Sequence, residues 1–114
     1  MKKIRFYSLL LFSSFTFHQY LTLDNNKLSQ IDSNLFKNLL LLEQLGLANN
    51  QIDYLSSDTF KYNSYLEYLY LSNNGLSQIE NELFQNLENL KILLLNNNRI
   101  EKIDTYAFMN LKKL

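Results

Sequence analysis

The sequence predicts a repeat solenoid of the α/β class, in which each coil contributes one short strand to a parallel sheet. Three observations predict it. The phrase leucine-x-x-leucine-x-leucine-x-x-asparagine-x-leucine or isoleucine reads LEQLGLANNQI from Leu42, LEYLYLSNNGL from Leu66 and LKILLLNNNRI from Leu90, after an earlier copy, HQYLTLDNNKL, from His18. These starting positions are evenly spaced, with no insertion or deletion between copies. The second half of each unit keeps the same period: Ile31, Leu55, Ile79 and Ile103 hold position 14, and Phe36, Phe60, Phe84 and Phe108 hold position 19. With 26 Leu and 16 Asn among 114 residues, the composition itself is that of a repeat.

The strand comes first in each unit. Positions 4 and 6 lie on one face of an extended segment, because side chains alternate with period two. Leu21 and Leu23, Leu45 and Leu47, Leu69 and Leu71, and Leu93 and Leu95 are therefore expected to turn inward. Each unit then has one apolar wall that it cannot bury alone, so neighbouring units must stack. The phenylalanines at position 19 are expected to form a second column inside the coil. Position 22 continues that column with Leu39, Leu87 and Leu111, Asn63 being the polar exception. The units run 18–41, 42–65, 66–89 and 90–113, and Leu114 falls where a fifth would start.

Residues 1–17 admit two main readings, with a non-cleaved apolar cap as a third. Lys2, Lys3 and Arg5 precede a mostly apolar stretch from Phe6 to Phe17, the order of a secretory signal, although no A-x-A-like cleavage site follows. Run backwards by one unit, the repeat frame instead places Ile4, Tyr7, Phe12 and Phe15 at positions 11, 14, 19 and 22, as in the second half of a truncated upstream repeat. The C-terminal end stops on a core leucine with no polar cap, which is expected of a piece of a larger array.

These motifs resemble the leucine-rich repeat family, in its 24-residue typical class with a late phenylalanine, as in Toll-like receptor or Slit-type ectodomains; the likeness covers about residues 18–114. The resemblance implies an arc with a parallel β-sheet on the concave face and loops or short helical turns on the convex face. It also implies that the position-9 asparagines, Asn26, Asn50, Asn74 and Asn98, sit at the bend after each strand and bond to main-chain groups of adjacent coils. A side-chain amide carries both donors and an acceptor and suits that role. The neighbouring asparagines at position 8, Asn25, Asn49, Asn73 and Asn97, read either as a polar ladder or as turn formers.

In this family ligands meet the concave face, at strand positions 3, 5 and 7. The resemblance therefore points to Tyr20, Gln44, Tyr68 and Ile92 in the first row and to Tyr70 and Leu94 in the second as partner-binding residues. Tyr68, Tyr70, Ile92 and Leu94 form one expected apolar and aromatic patch, of the kind that makes binding hot spots. Gly46 beside Tyr70 is either a notch for a partner side chain or a neutral substitution. His18, at the first core position, is expected to be a partly exposed end residue.

Several function classes are excluded by composition. There is no Cys, only one His, no Pro and only two Gly, so thiol chemistry, a histidine metal cluster and a phosphate-cradling loop have no residues to build them. Eleven basic residues balance eleven acidic ones, which gives no overall attraction to nucleic acid or anionic membrane. No apolar stretch is long enough to span a bilayer. The acidic residues fall outside the core positions with no recurrent nucleophile or base. The expectation is a non-enzymatic module without metal or cofactor that recognises a protein ligand, most naturally in an extracellular, secreted or receptor-type protein. The alternative is a structural fragment, a partial gene product or a cytoplasmic scaffold piece.

Overall fold

The computed structural model describes residues 5–11 and 16–114, with side chains described from Gln19 onward. The chain winds into about four stacked coils. Its strands are β1 (Arg5–Leu11), β2 (Thr16–Thr22), β3 (Leu42–Gly46), β4 (Tyr68–Tyr70), β5 (Gln78–Ile79), β6 (Ile92–Leu94) and β7 (Lys102–Ile103). The main sheet has the order β1-β2-β3-β4-β6, and β5 pairs with β7 in a second small sheet.

The period of the sequence becomes the register of the sheet. Leu21 pairs with Leu45, Leu45 with Leu69 and Leu69 with Leu93, all in parallel strands. The alternation of the strand segments turns these leucines inward: Leu45, Leu47, Leu69 and Leu71 are fully buried. In coil 4, where only one neighbour exists among the described residues, Leu93 and Leu95 are half-buried. The register slips once, between Gln19 and Tyr20, where Gln19 faces Leu42 and Tyr20 faces Gln44.

Strand β1 runs antiparallel to β2, with Arg5 opposite Thr22 and Leu11 opposite Thr16. The two main readings of residues 1–17 do not specify such a strand. Residues 1–4 and 12–15, on which both readings partly rest, lie outside the described residues, as does the side chain of His18.

The back of each coil is built from hydrogen-bonded turns, and no helix occurs among the described residues. In coil 1 the amides of Leu35, Lys37, Leu39 and Leu42 each donate to a carbonyl one tight turn earlier, those of Asp32, Asn34, Phe36 and Leu39, and coils 2 and 3 repeat the pattern at Thr59–Leu66 and Leu83–Leu90. These turns let each unit close within one period and carry its phenylalanine inward. The rings of Phe36, Phe60, Phe84 and Phe108 stack at centroid distances of 6.4, 6.3 and 6.2 Å, nearly parallel. Asn63, the polar residue of the adjoining column, is completely buried and donates to the carbonyls of Phe36 and Leu39 at 3.0 and 3.1 Å. Its Oδ1 has no hydrogen-bond partner. No helix of the described residues is long and apolar enough to cross a membrane.

Candidate functional site

The outward face of the main sheet is held in place by what happens at its rear edge. After each strand the chain must turn sharply, and the position-8 asparagines do so with positive φ: 60° at Asn25, 58° at Asn49, 57° at Asn73 and 58° at Asn97. Asparagine is among the few side chains that tolerate the left-handed region. The turn reading of this column is thus the one the backbone carries. The amides of Asn25, Asn49 and Asn73 donate to the position-7 carbonyls of the next coil at 2.9–3.0 Å.

The position-9 asparagines point inward from the same bend. Asn50 Nδ2 donates to the carbonyls of Leu23 and Leu47, both at 3.0 Å, while its Oδ1 accepts the Leu28 amide at 3.1 Å. Asn74 makes the equivalent bonds to Leu47, Leu71 and the Ile52 amide, and Asn98 those to Leu71, Leu95 and the Leu76 amide. Asn26 donates to Leu23 and Asp24. The amides of Asn50, Asn74 and Asn98 each join their own coil to the one before it. The strand ends are therefore pinned at fixed spacing, and the face they carry is rigid.

On that face the rows predicted from the repeat are brought side by side. Tyr20, Gln44, Tyr68 and Ile92 are register partners in succession, as are Thr22, Gly46, Tyr70 and Leu94. Parallel strands lie about 4.8 Å apart, so neighbours in a row touch. Ile92 and Leu94 are each 42% exposed, while Tyr68 and Tyr70, both on β4, are half-buried. Positions 3, 5 and 7 of the four units carry no Lys or Arg, and Arg5 of β1 stands in register with Thr22. Lys91 lies one position outside, bonded to Glu67 of the preceding coil at 3.0 Å, and that ion pair raises its pKa.

Position 7 puts Asp24 on the outward face, but the contact it makes there was not legible in the sequence. The carboxylate of Asp24 reaches across to the next coil, where Oδ1 accepts the Ala48 amide at 2.7 Å. It lies directly over Gly46: a β-carbon there would meet Asp24 Oδ1 at 2.7 Å and Oδ2 at 2.9 Å. Gly46 is therefore not a neutral substitution. It is the residue that lets an aspartate lie flat on the sheet. Tyr70, the register partner of Gly46, has its phenol pKa raised by burial first, then by Tyr68 and by the Asp24 charge. The sequence signal was an aspartate at position 7 of one unit and a glycine at position 5 of the next, visible only once the two coils are known to be adjacent. At the far end of the position-7 row Ser72 Oγ donates to Asn96 Oδ1 at 2.5 Å.

Chemically the face offers aromatic and aliphatic surface, one carboxylate and hydroxyl groups on a fixed frame. Among the described residues no group of three His, Cys, Asp or Glu side chains is placed to hold a metal ion.

Comparisons with known proteins agree with this architecture. The family model described as leucine rich repeat matches residues 19–76 and again residues 64–114. Among solved structures, a chain of the TLR13–ssRNA13 complex is similar over 82% of this chain and 13% of its own length, with 26% identity and a TM-score of 0.78. A chain of the Drosophila Toll–Spatzle complex is similar over 78% of this chain and 12% of its own, with 32% identity and a TM-score of 0.77. The leucine-rich repeat ectodomain of the receptor kinase SOBIR1 from Arabidopsis thaliana covers all of this chain and 63% of its own, at 25% identity and a TM-score of 0.67. This chain thus spans less than two thirds of the length of each. No curated protein matches.

Proposed function

Since the chain belongs to the leucine-rich repeat family, we propose that it is a protein-recognition module of an extracellular, receptor-type protein, and that its partner meets the outward, concave face of the main sheet. The observation that carries this reading is the patch of Tyr68, Tyr70, Ile92 and Leu94, contiguous across β4 and β6. Aromatic and aliphatic side chains on a face that is already rigid lose little conformational entropy on binding, which favours affinity. The neighbours support the setting: SOBIR1 contributes a receptor ectodomain, and Toll is in complex with the protein Spatzle. TLR13 is in complex with single-stranded RNA. On this chain positions 3, 5 and 7 of the four repeat units carry an aspartate and no Lys or Arg, which favours a protein partner over phosphates.

The test is the paired substitution Tyr70→Ala and Leu94→Ser. Both side chains are outward, so the variant is expected to melt within about 1 kcal/mol of the wild type, as surface changes do, and to lose partner binding. A folded variant that binds as before would overturn the reading. A second apolar group, Leu41 and Tyr65 at the mouth of the strands, is also exposed, at 44% and 56%. The companion variant Leu41→Ser with Tyr65→Ser is expected to keep binding.

A further inference from the structure

Gly75 is a glycine that the backbone does not ask for. The other units carry Lys27, Gln51 and Arg99 at its position, and its φ is not positive. A β-carbon there would come no closer than 3.6 Å to any atom beyond its chain neighbours, the nearest being the Ile52 carbonyl oxygen. Neither a turn nor a close approach therefore requires a bare residue. The residue before it is Asn74, whose amide joins coil 3 to coil 2. Among the 16 asparagines of the chain, Asn74 alone is followed by glycine.

That dipeptide has a chemistry of its own. With no side chain to hinder it, the main-chain nitrogen of the glycine can attack the asparagine Cγ. The N–Cγ bond forms, the Cγ–Nδ2 bond breaks, and Nδ2 leaves as ammonia with the proton of the glycine amide. A cyclic succinimide results. Water then opens the ring at the side-chain carbonyl to give aspartate, or at the main-chain carbonyl to give isoaspartate.

In the folded chain both reacting groups are held by the same residue of coil 2. The Gly75 amide donates to the Ile52 carbonyl at 2.8 Å, and Asn74 Oδ1 accepts the Ile52 amide at 3.0 Å. The leaving nitrogen, Nδ2, donates to the carbonyls of Leu47 and Leu71 at 2.9 and 3.1 Å. Attack needs the Gly75 nitrogen to give up its proton and turn towards Cγ, and these bonds oppose both. Those to Ile52 and Leu47 are lost together when coil 3 parts from coil 2.

We propose that Asn74–Gly75 is a self-modifying site, which the closed junction between coils 2 and 3 shields and which an open junction converts to aspartate or isoaspartate. The product cannot rebuild the junction. A carboxylate has no N–H to give the Leu47 and Leu71 carbonyls, and it sets its own negative oxygens against them. Isoaspartate also inserts the Cβ atom into the main chain at the bend. An opening that lasts long enough for reaction is thus recorded in covalent form, and the altered chain is biased towards staying open. This inference is independent of the sheet-face reading.

The test follows the full chain at neutral pH, in native buffer and in urea above the unfolding midpoint, by peptide mapping that separates aspartate from isoaspartate. In urea Asn74 is expected to convert well before Asn26, Asn50 and Asn98, its equivalents in the other units. In native buffer its conversion is expected to be slower by about a hundredfold or more, because the reaction follows the open fraction. Gly75→Ala, which the spacing accommodates, is expected to fold as the wild type does and to lose most of the conversion in urea. The purified converted chain is expected to unfold at lower urea than the unconverted one. Conversion in urea that does not single out Asn74, equal rates in urea and native buffer, or a Gly75→Ala chain that converts as fast as the wild type would overturn the site. An unchanged urea midpoint of the converted chain would overturn its effect on the junction.

Discussion

Asn74 illustrates how one side chain at the bend determines whether two coils hold together. Its amide donates to Leu47 and Leu71, and its oxygen takes the Ile52 amide at 3.0 Å. Asn74→Ala leaves the Ile52 amide without a partner away from water, while the Leu47 and Leu71 carbonyls keep the bonds from Asn50 and Asn98, and an unfolding cost of about 1–3 kcal/mol is expected. Asn98→Ala is expected to cost less, because the coil that carries Asn98 is more open to solvent. Urea titration of both variants checks the order. Asn63 gives the opposite expectation. Its buried Oδ1 has no partner, and the equivalent residues of the column are leucines. The carbonyls it bonds, those of Phe36 and Leu39, also accept turn amides. Asn63→Leu is therefore expected to raise stability by about 1 kcal/mol, and an unchanged or lower melting temperature would contradict this. The position-9 asparagines stood out in the sequence because they recur once in every unit. The orphaned oxygen of Asn63 did not, since nothing in a sequence counts the partners of a buried atom.

At the scale of a strand and its neighbour, Asp24 and Gly46 act as a unit. Gly46→Ala places a methyl 2.7 Å from the Asp24 carboxylate, which must swing away from the Ala48 amide. A loss of about 1–2 kcal/mol is expected. In an Asp24→Ala background the same change is expected to stabilise by about 0.5–1 kcal/mol, because alanine is the less flexible residue in a strand and the three atoms nearest its β-carbon, all of the Asp24 carboxyl group, are gone. A penalty that persists in that background would contradict the contact. The same pair sets a pH dependence. Tyr70 in the folded chain titrates above the ordinary 10.0 of a tyrosine phenol, through burial, Tyr68 and Asp24. A raised folded pKa means that folding favours the neutral phenol. Its contribution to stability is full below pH 10 and is lost as the pH rises through the folded value. Ultraviolet titration is expected to find one late phenol, and Asp24→Asn is expected to bring it down. In the phenylalanine column, Phe60→Ala is expected to cost about 3–5 kcal/mol, and Phe108→Ala much less, since Phe108 is 39% exposed. The strands and this column were legible because the strand alternation and the unit repeat are both written in apolar residues. The antiparallel β1 was not, because a single apolar run fits a signal segment, a coil and a strand equally well.

The whole molecule is a stack, in which each coil rests on its neighbours, and stability is expected to follow that order. The amides of Leu47 and Leu71 follow directly on the central strands β3 and β4, with coils on both sides, and are expected to exchange slowest with solvent. Those of coil 4, where Ile103 is 51% exposed, are expected to exchange first. The stack also explains why fold was easier to read than function. A repeat states its architecture in every unit, whereas a recognition surface is stated once, in whichever outward residues depart from the repeat. Tyr68, Tyr70, Ile92 and Leu94 were readable as a patch from strand geometry alone, but the carboxylate beside them needed the three-dimensional path of Asp24. The most direct measurement of the central claim is photo-crosslinking in the presence of partner protein. A benzophenone side chain is placed in turn at Tyr70, on the outward sheet face, and at Tyr65, at the mouth of the strands. An adduct formed from position 70 and not from position 65 is the expected result. An adduct formed from position 65 alone, with both variants folded, would contradict recognition by the sheet face.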